Sequence, residues 1–342
     1  MIQKISIEDY FNLEGNIPLI DIRTPLEYQK GHIPDAINLP IFSNEERVKI
    51  GTTYKKVGRE QAILLGFDVV GTKWRGFIEA SLKIAPNKKI CVHCWRGGMR
   101  SGAMAWALDF YGFEVYTIIG GYKSYRNWVL QQFEKPYPII ILGGKTGSHK
   151  TTILQEIQML GEQVIDLEGL AQHQGSAFGS RNIPQTISQE QFENELTHQL
   201  REMDLSKKIW LEDESVAIGN IGIPRFFWYQ MQAAKVINLE IDLETRVAFL
   251  LETYGILDKD FLISATEHIR KRLGPLQTKN AIAAIQENRM EDFIRTVLVY
   301  YDKGYLRCIQ KRNPETVFTL TLNYSDTKTV AEKIIEFSKD MN

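Results

Sequence analysis

Short apolar runs and longer stretches with helical apolar spacing alternate along the 342-residue chain. Short runs bounded by turn residues predict strands, whereas apolar residues three or four positions apart predict helices. The predicted strands are PLIDIR (18–23), AINLP (36–40), KKICVH (88–93), the start of VYTIIGGYKSYRNW (115–128), the apolar run before Gly144, QVIDLE (163–168), KIWLEDE (208–214), KVINLEI (235–241) and VFTLTL (317–322). The main predicted helices are 101–112, 190–204, 224–234, 243–254, 279–288 and 328–338. This alternation is typical of an α/β fold with a mostly parallel sheet and helices on both faces.

A proline-containing linker divides the chain into two predicted domains. EKPYP (134–138) carries two prolines, which interrupt regular structure. We therefore predict one domain over 1–135 and a second over 136–342, each long enough for its own core. Residues 1–136 hold 18 basic and 14 acidic residues, a net +4, whereas residues 137–342 hold 23 and 28, a net −5. The overall charge of −1 argues against a protein that coats nucleic acid nonspecifically.

The stretch CWRGGMRS (94–101) places a single cysteine in a loop between a predicted strand and a predicted helix. The backbone N–H groups of such a turn, the positive end of the helix dipole, and the charges of Arg96 and Arg100 all favour an anion on sulfur. We therefore predict that Cys94 is a catalytic nucleophile that can carry a transferable chalcogen atom. The predicted active-site loop around it consists of Trp95, Arg96, Gly97, Gly98, Met99 and Arg100.

Cys91 precedes Cys94 by three residues, so the two form a CxxC pair. That spacing occurs in redox and zinc sites, but a single CxxC is weak evidence for zinc, and Cys308 has no paired motif. A buried core position is the alternative for any free cysteine. It fits Cys91, which lies between Ile90 and Val92, better than it fits Cys94. We predict that Cys91 is structural and assign no metal ligands.

The segment PIIILGGKTGSHKTTILQEI (138–157) runs from an apolar strand through a glycine-rich turn into a helix, which is the context of a phosphate-binding P-loop. Lys150 would neutralise a terminal phosphate, and the Thr151 hydroxyl would hold a magnesium ion. The pattern GxxxxGK[ST] is broken at His149, where a glycine is usual because backbone and phosphate approach closely. His149 is either a tolerated departure or a hydrogen-bond donor to phosphate. The predicted phosphate-binding residues are Gly144, Lys145, Thr146, Gly147, Ser148, His149, Lys150 and Thr151.

Other charged residues are weaker candidates for contacts with phosphate or RNA. The basic groups RVKIGTTYKKVGR (47–59) and HIRKR (268–272) are either solvated surfaces or RNA contacts. The acids of EDES (212–215) follow a predicted strand and are either a second part of the phosphate site or exposed strand-end acids. The loop DLEGLAQHQGSAFG (166–179) also follows a strand, where α/β sheets bind ligands. The candidate contacts in these segments are His173, Glu212, Asp213, Arg270, Lys271 and Arg272.

Several motifs together resemble known families. DIRTPLEYQKGHIPDAIN (21–38), the Cys94 loop and GGY (120–122) resemble a rhodanese domain, the sulfurtransferase α/β fold, over roughly residues 1–133. The whole chain is similar to the tRNA 2-selenouridine synthase family. That similarity rests on GTTYKKVGREQAILLGF (51–67), GGKTGSHKT (143–151), DLEGLAQHQGSAFG, EDES and IRKRLG (269–274). Two positions depart from the family pattern: His149 replaces a glycine, and Val216 follows EDES where the family more often has an arginine.

The resemblance implies a rhodanese-like domain followed by a P-loop domain, and a transferase that modifies tRNA. The family replaces sulfur by selenium at C2 of the wobble 2-thiouridine, with selenophosphate as donor, and it also forms an S-geranylated thiouridine from geranyl diphosphate. The cysteine would accept selenium as a perselenide and deliver it, which is nucleophilic catalysis. The expected partners are therefore tRNA, selenophosphate and geranyl diphosphate. We expect no tightly bound cofactor, and Mg²⁺ at the phosphates is left open.

Two other function classes stay open at this point. One is a kinase or NTPase of the P-loop type that is coupled to a sulfurtransferase; the other is a non-catalytic rhodanese-like binding module with a disabled P-loop. The retained cysteine and its two arginines argue against the second class. No apolar run is long enough to span a bilayer, and MIQKISIEDY does not resemble a signal peptide. With three cysteines, one of them reactive, we expect a protein of the reducing cytoplasm without membrane contact.

Overall fold

The structure, a computed structural model, describes residues 1–173, 178, 186–322 and 326–341. The chain forms two compact units. The first contains Met1–Gln132 together with Glu193–His198, and the second contains the rest of the described chain. The predicted boundary between residues 135 and 136 stays a prediction.

Up to Gln132 the chain contains five strands and seven helices. The strands are β1 (Ile2–Ile5), β2 (Leu19–Asp21), β3 (Ile37–Asn38), β4 (Lys89–His93) and β5 (Glu114–Ile118). The helices are α1 (Ile7–Phe11), α2 (Pro25–Lys30), α3 (Asn44–Lys56), α4 (Arg59–Val70), α5 (Trp74–Ile84), α6 (Met99–Tyr111) and α7 (Gly121–Gln132). Local sequence explains several ends: Thr24 and Ser43 form capping boxes, and Gly112 ends α6 in the left-handed conformation.

The five strands of the first unit form a sheet in the order β1-β5-β4-β2-β3, and every pair is parallel. Its central strands are buried; in β2 all three residues are inaccessible to solvent, and in β4 the last four are. The apolar core on one side joins β4 and α6 to the α3–α5 segment through Phe42, Val70 and Phe77. Parallel strands all point their carboxyl ends to one edge, so the loop that follows β4 lies at that edge.

From Phe133 onward the described residues contain seven strands, ten α-helices and a short 3-10 helix, Pro314–Thr316. The strands are β6 (Ile139–Gly144), β7 (Gln163–Val164), β8 (Ile209–Glu212), β9 (Ala217–Ile218), β10 (Ile221–Gly222), β11 (Lys235–Glu240) and β12 (Val317–Thr321). The helices are α8 (Lys150–Met159), α9 (Leu167–Leu170), α10 (Gln189–Glu202), α11 (Arg225–Ala233), α12 (Leu243–Tyr254), α13 (Lys259–His268), α14 (Arg270–Leu273), α15 (Pro275–Gln286), α16 (Met290–Ile309) and α17 (Thr327–Lys339).

The main sheet of the second unit has the order β12-β11-β6-β8-β7 and is parallel throughout. A separate antiparallel pair joins β9 to β10. Apolar side chains of β6, β8 and β11 pack against α8 and α17, whereas α12, α13, α15 and α16 form a second, helical core. The predicted α/β class with a mostly parallel sheet in the C-terminal part is therefore confirmed.

Some sequence predictions were wrong in detail. The predicted strand 163–168 ends at Val164, because the Asp166 side chain caps α9 by accepting the Gly169 N–H at 2.8 Å. The predicted helix 279–288 begins at Pro275, which suits the first turn of a helix. The helices α13 and α16 were not predicted, although α16 is the longest of the described helices.

Candidate functional site

The Cys94 loop joins β4 to α6 at the carboxyl edge of the first sheet. Cys94 follows directly after His93, the last residue of β4, and its side chain is buried. The Ser101 hydroxyl oxygen lies 3.3 Å from the Cys94 sulfur and 3.1 Å from the Gly98 carbonyl oxygen. Its single hydrogen can be donated to the Gly98 carbonyl or, when Cys94 is ionised, to the sulfur. The loop therefore holds the thiol beside the first turn of a helix, as the sequence predicted.

The surroundings of the thiol stabilise its anion. Burial raises the pKa of Cys94, but the Ser101 hydroxyl, the backbone N–H groups of Ser101 and Arg96, and the charge of Arg100 together lower it below the ordinary value. The larger share of this effect comes from Ser101, which the sequence reasoning did not single out. The sequence does contain a signal for this role, because a residue with a hydroxyl group lies seven positions after the cysteine, at the start of a predicted helix.

The two arginines of the loop have different environments. Arg100 forms an ion pair with Glu27, with its Nη1 at 2.8 Å from Oε2, so part of its charge is neutralised. Arg96 is exposed and acts on the thiol through its backbone N–H. Trp95 lies 5.7 Å from the Tyr122 ring, centroid to centroid, and Met99 is exposed.

The double-glycine turn after β5 closes on the cysteine loop. The Tyr122 N–H donates to the Cys94 carbonyl at 2.9 Å. Gly121 has a φ of 58°, and a Cβ there would overlap the Cys94 carbonyl oxygen. A Cβ at Gly97, whose φ is 63°, would lie 2.7 Å from the Ile118 carbonyl oxygen. Both glycines are required because backbone meets backbone at this point.

The buried residues of β2 and β4 and the residues next to them stabilise the fold around the cysteine loop. Cys91 is fully buried within β4, and burial raises its pKa, so it stays a neutral thiol. Asp21 and Arg23 form a buried ion pair, and the Arg23 guanidinium lies 3.6 Å from the Tyr122 ring centroid. Burial also lowers the pKa of His93. These groups support the sheet edge and do not contact the Cys94 sulfur.

The predicted phosphate loop connects β6 to α8 in the second unit. It borders a cavity of about 430 Å³, and the loop residues that line this cavity are Gly144, Thr146, Gly147, Ser148, His149, Lys150 and Thr151. Gly147 has a φ of 84°, and a Cβ there would lie 3.1 Å from the Arg246 carbonyl oxygen. The side chain of Lys145 instead lines a neighbouring cavity of about 380 Å³.

His149 adopts the conformation that favours glycine at this position. Its φ is 56° and its ψ is 20°, a left-handed geometry in which histidine is among the better-tolerated residues. Its ring centroid lies 3.8 Å from that of Phe249, and burial lowers its pKa. The loop thus keeps a P-loop-like backbone without the glycine.

Lys150 and Thr151 both reach Glu212 at the end of β8. The Lys150 ammonium lies 3.3 Å from Glu212 Oε1, and the Thr151 hydroxyl donates to Oε2 at 3.0 Å. Burial lowers the pKa of Lys150, but the charges of Glu212 and Glu214 outweigh it and raise the pKa, so the ammonium stays charged. The acid at the strand end therefore belongs to the phosphate-loop site.

Three carboxylates lie together beside Lys150. Oxygens of Glu168, Glu212 and Glu214 are all within 4.8 Å of one another. Burial and the charges of the other two glutamates raise the pKa of Glu214 well above its usual range. Clustered carboxylate oxygens are ligands that hard divalent cations prefer. Neither Glu168 nor Glu214 was among the predicted site residues, although both lie in quoted motifs.

A buried arginine supports the phosphate loop from α12. The Arg246 Nε donates to the Thr146 carbonyl at 2.9 Å, and its other nitrogens bind both oxygens of Asp302 at 3.0 and 2.6 Å. Its side chain is only 2% exposed. Nothing in the local sequence marks this residue, because its partners are 100 and 56 positions away.

The remaining predicted contacts differ in their positions. Asp213 lines the phosphate-loop cavity and is also paired with Arg312, whose Nη2 lies 2.6 Å from Oδ1. His173 follows α9 and does not line the phosphate-loop cavity. Arg270, Lys271 and Arg272 are exposed on α14, also away from that cavity. Most of the GSAFG part of the loop 166–179 lies outside the described residues.

Comparison with known proteins agrees with this geometry. Residues 137–333 match the model for the tRNA 2-selenouridine synthase AAA domain, and residues 9–127 match that for the rhodanese-like domain. A tRNA 2-selenouridine synthase of Shewanella frigidimarina is 34% identical, over 89% of this chain and 91% of its own. A tRNA 2-selenouridine synthase of Nitrosomonas eutropha is 31% identical, over 95% of this chain and 87% of its own. One from Shewanella denitrificans is 41% identical, over 69% of this chain and 65% of its own.

The thiolate loop and the P-loop-like site thus define this chain as an α/β protein with a rhodanese-like domain and an AAA domain. The chain belongs to the tRNA 2-selenouridine synthase family. In the described part of the chain, no helix is both long and apolar enough to cross a membrane.

Proposed function

We propose that this protein replaces sulfur by selenium at C2 of the wobble 2-thiouridine of tRNA, in two steps. In the first, the thiouridine sulfur attacks C1 of geranyl diphosphate; an S–C bond forms, a C–O bond breaks, and diphosphate leaves. In the second, selenium displaces the geranylated sulfur, with selenophosphate as donor. The reaction would take place in the cytoplasm, where a free thiolate stays reduced.

The first step is supported by the mixed lining of the phosphate-loop cavity. The loop with Lys150 offers a positive charge and N–H groups to a diphosphate. The same cavity is lined by the apolar and aromatic side chains of Phe178, Phe249, Leu250, Tyr254 and Leu257, of which Phe249 and Leu250 pack against the loop at His149 and Gly147. A nucleoside triphosphate has no apolar chain to cover these side chains, whereas a prenyl diphosphate does. This pairing of charge and apolar surface is the observation that carries the proposal.

A divalent cation fits the same site. Glu168, Glu212 and Glu214 provide carboxylate oxygens, and the Thr151 hydroxyl is hydrogen-bonded to one of them. When bound, Mg²⁺ would neutralise charge on the departing diphosphate. Lys150, which lies beside these carboxylates, would neutralise further charge on the diphosphate, and the apolar side chains of the cavity would exclude water from the geranyl carbon.

The second step is assigned to Cys94, whose lowered pKa supports a nucleophilic thiolate. The thiolate attacks selenium of selenophosphate; an S–Se bond forms, and the electron pair of the Se–P bond leaves on phosphorus as phosphite. The resulting perselenide attacks C2 of the geranylated base, and the C–S bond breaks to release geranylthiol. A second thiol, supplied by a cellular thiol reductant, then attacks the cysteine sulfur and frees the selenouridine with formation of a disulfide.

The test uses an anticodon stem-loop RNA with 2-thiouridine, incubated with geranyl diphosphate, selenophosphate, Mg²⁺ and a thiol. Nucleoside mass spectrometry should detect the geranylated intermediate and then selenouridine, and ³¹P NMR should detect diphosphate and phosphite. Release of phosphate instead of phosphite would contradict the cysteine-bound intermediate. Hydrolysis of ATP without consumption of geranyl diphosphate would favour the NTPase alternative.

A further inference from the structure

We propose that the first unit contains a pocket that binds the geranyl chain of the S-geranylated base while selenium replaces the sulfur. This inference rests on the proposed function and adds a site to it. The pocket lies between α3, α4 and α6 and has a volume of about 610 Å³. Several residues of the segment 51–67 line it. This segment belongs neither to the cysteine loop nor to the phosphate loop, so neither site explains its role.

The lining of the pocket is apolar and accessible. Ile50, Ala62, Ile63, Val70 and Trp74 form much of its wall. Its volume falls within the range of about 300–1,000 Å³ that holds small organic ligands. At its rim lie three large side chains that are more than half exposed, so the apolar surface of the pocket extends to solvent as one patch, which is typical of binding sites. These are Tyr54 (55%), Met99 (58%) and Phe67 (64%).

The pocket is continuous with the cysteine loop. Met99 and Arg100, the last residues of that loop, line it, and so do Gly102 and Ala103 of the following helix. Phe42 and Val70, which also line it, belong to the same apolar cluster as Cys94. A chain that fills the pocket would therefore end beside the loop that carries the thiolate.

The rim of the pocket is basic. Arg47 and Lys55 line it with positive charges, and Arg100 lines it as well, with part of its charge neutralised by Glu27. An apolar peptide segment would not require these charges, whereas a geranylated nucleotide would place its chain in the pocket and its neighbouring phosphates at the rim. The charges and the apolar wall together favour the geranylated RNA as the occupant.

The chemical consequence concerns the leaving group. When the perselenide attacks C2 and the C–S bond breaks, the electron pair leaves on sulfur with the geranyl chain attached. A pocket that holds the chain orients the C–S bond toward the loop, and it separates the departing geranylthiol from the base. An S-methyl group would provide a similar sulfur leaving group but would leave the pocket empty.

The test compares two glycine substitutions in helices of the same unit. Gly102 lines the pocket, and a Cβ there would meet no atom within 4 Å, so Gly102→Trp adds bulk at the pocket from an open backbone position. Gly76 of α5 is also exposed, is equally open at its Cβ and does not line the pocket, so Gly76→Trp is the matched control. Ile63→Asn, in α4, introduces a polar group into the lining by a different route.

Each variant of the full chain is given stem-loop RNAs with S-geranyl or S-methyl 2-thiouridine and selenophosphate. We expect Gly102→Trp and Ile63→Asn to lower kcat/KM for the S-geranyl RNA by about tenfold or more. The kcat/KM for the S-methyl RNA and the loading of selenium onto Cys94 should stay unchanged. Gly76→Trp should resemble the wild type. Formation of the S-geranyl RNA from geranyl diphosphate should be unaffected, because it belongs to the other unit.

The outcomes separate this inference from the proposed function. If the wild type does not convert the S-geranyl RNA at all, the proposed function fails. If the wild type converts it, and both pocket variants convert it at the wild-type rate, the pocket assignment is wrong. Equal losses of kcat/KM with the S-geranyl and S-methyl RNAs in the pocket variants would also overturn the assignment. So would pocket variants that lose only the geranylation step.

Discussion

Two ion pairs that join the same two helices provide a test of how the phosphate loop is held. Arg246 of α12 binds Asp302 of α16, and Arg295 of α16 binds Glu244 of α12. Both pairs are two-pronged, but the first is buried, with side chains 2% and 23% exposed, whereas the second is 33% and 72% exposed. Only Arg246 also contacts the phosphate loop, through the Thr146 carbonyl.

The expected magnitudes differ accordingly. Arg246→Gln leaves Asp302 as an uncompensated, mostly buried charge, which costs about 3 kcal/mol, at the lower end for a broken buried pair because Asp302 retains some solvent contact. Arg295→Gln removes only exposed ion pairs, with Glu244 and Glu291, and should cost far less because solvent screens them. A cost of about 3 kcal/mol for Arg246→Gln corresponds to a factor of more than about 100 in the equilibrium constant for opening of these helices.

Hydrogen exchange of α12 and α16 peptides, measured against urea concentration, reports this opening without requiring that the two units unfold together. Arg246→Gln should also weaken the binding of geranyl diphosphate in a calorimetric titration, because the Thr146 carbonyl loses its partner, whereas Arg295→Gln should bind normally. Equal losses of stability in the two variants would refute the reasoning from burial. Unchanged binding in Arg246→Gln would refute the proposed support of the loop.

The remaining predictions concern the two sites. Cys94→Ser should abolish selenium incorporation but still accumulate the geranylated nucleoside, whereas Cys91→Ser should keep most of the selenium incorporation. Nucleoside mass spectrometry measures both products, and a loss of selenium incorporation in Cys91→Ser but not in Cys94→Ser would contradict the assignment. Ser101→Ala removes a group that lowers the pKa of Cys94 and should move the pH profile of thiol alkylation to higher pH, with less thiolate at neutral pH; an unchanged profile would exclude this role. Lys150→Ala should weaken geranyl diphosphate binding by about 10- to 100-fold, since a charge-assisted contact contributes about 1.5–3 kcal/mol. His149→Gly should bind equally or more tightly, because glycine adopts the left-handed φ of 56° without strain; weaker binding would identify His149 as a ligand donor.

Much of the architecture was predictable because it depends on local signals. The strand before Cys94, the helix ended by Gly112 and the strand–turn–helix around Lys150 each carry their own apolar period and their own turn residues. The failures have local causes as well. Asp166 caps a short helix within a run that has the pattern of a strand. The start of α13 carries an N-cap, Asp258, that the sequence analysis did not use, whereas the start of α16 has no side-chain cap.

The sequence by itself determined the chemistry: a cysteine in a glycine–arginine loop, a lysine and threonine at a phosphate loop, and the family to which these motifs belong. The tertiary structure decided which groups control them. Ser101 rather than Arg96 is the main partner of the thiol, Glu212 reaches Lys150, and Arg246 supports Thr146 from 100 residues away. The apolar pocket likewise requires α3, α4 and α6 to meet. Contacts between distant parts of the chain exist only once the helices have packed on the sheets, so no local pattern could specify them.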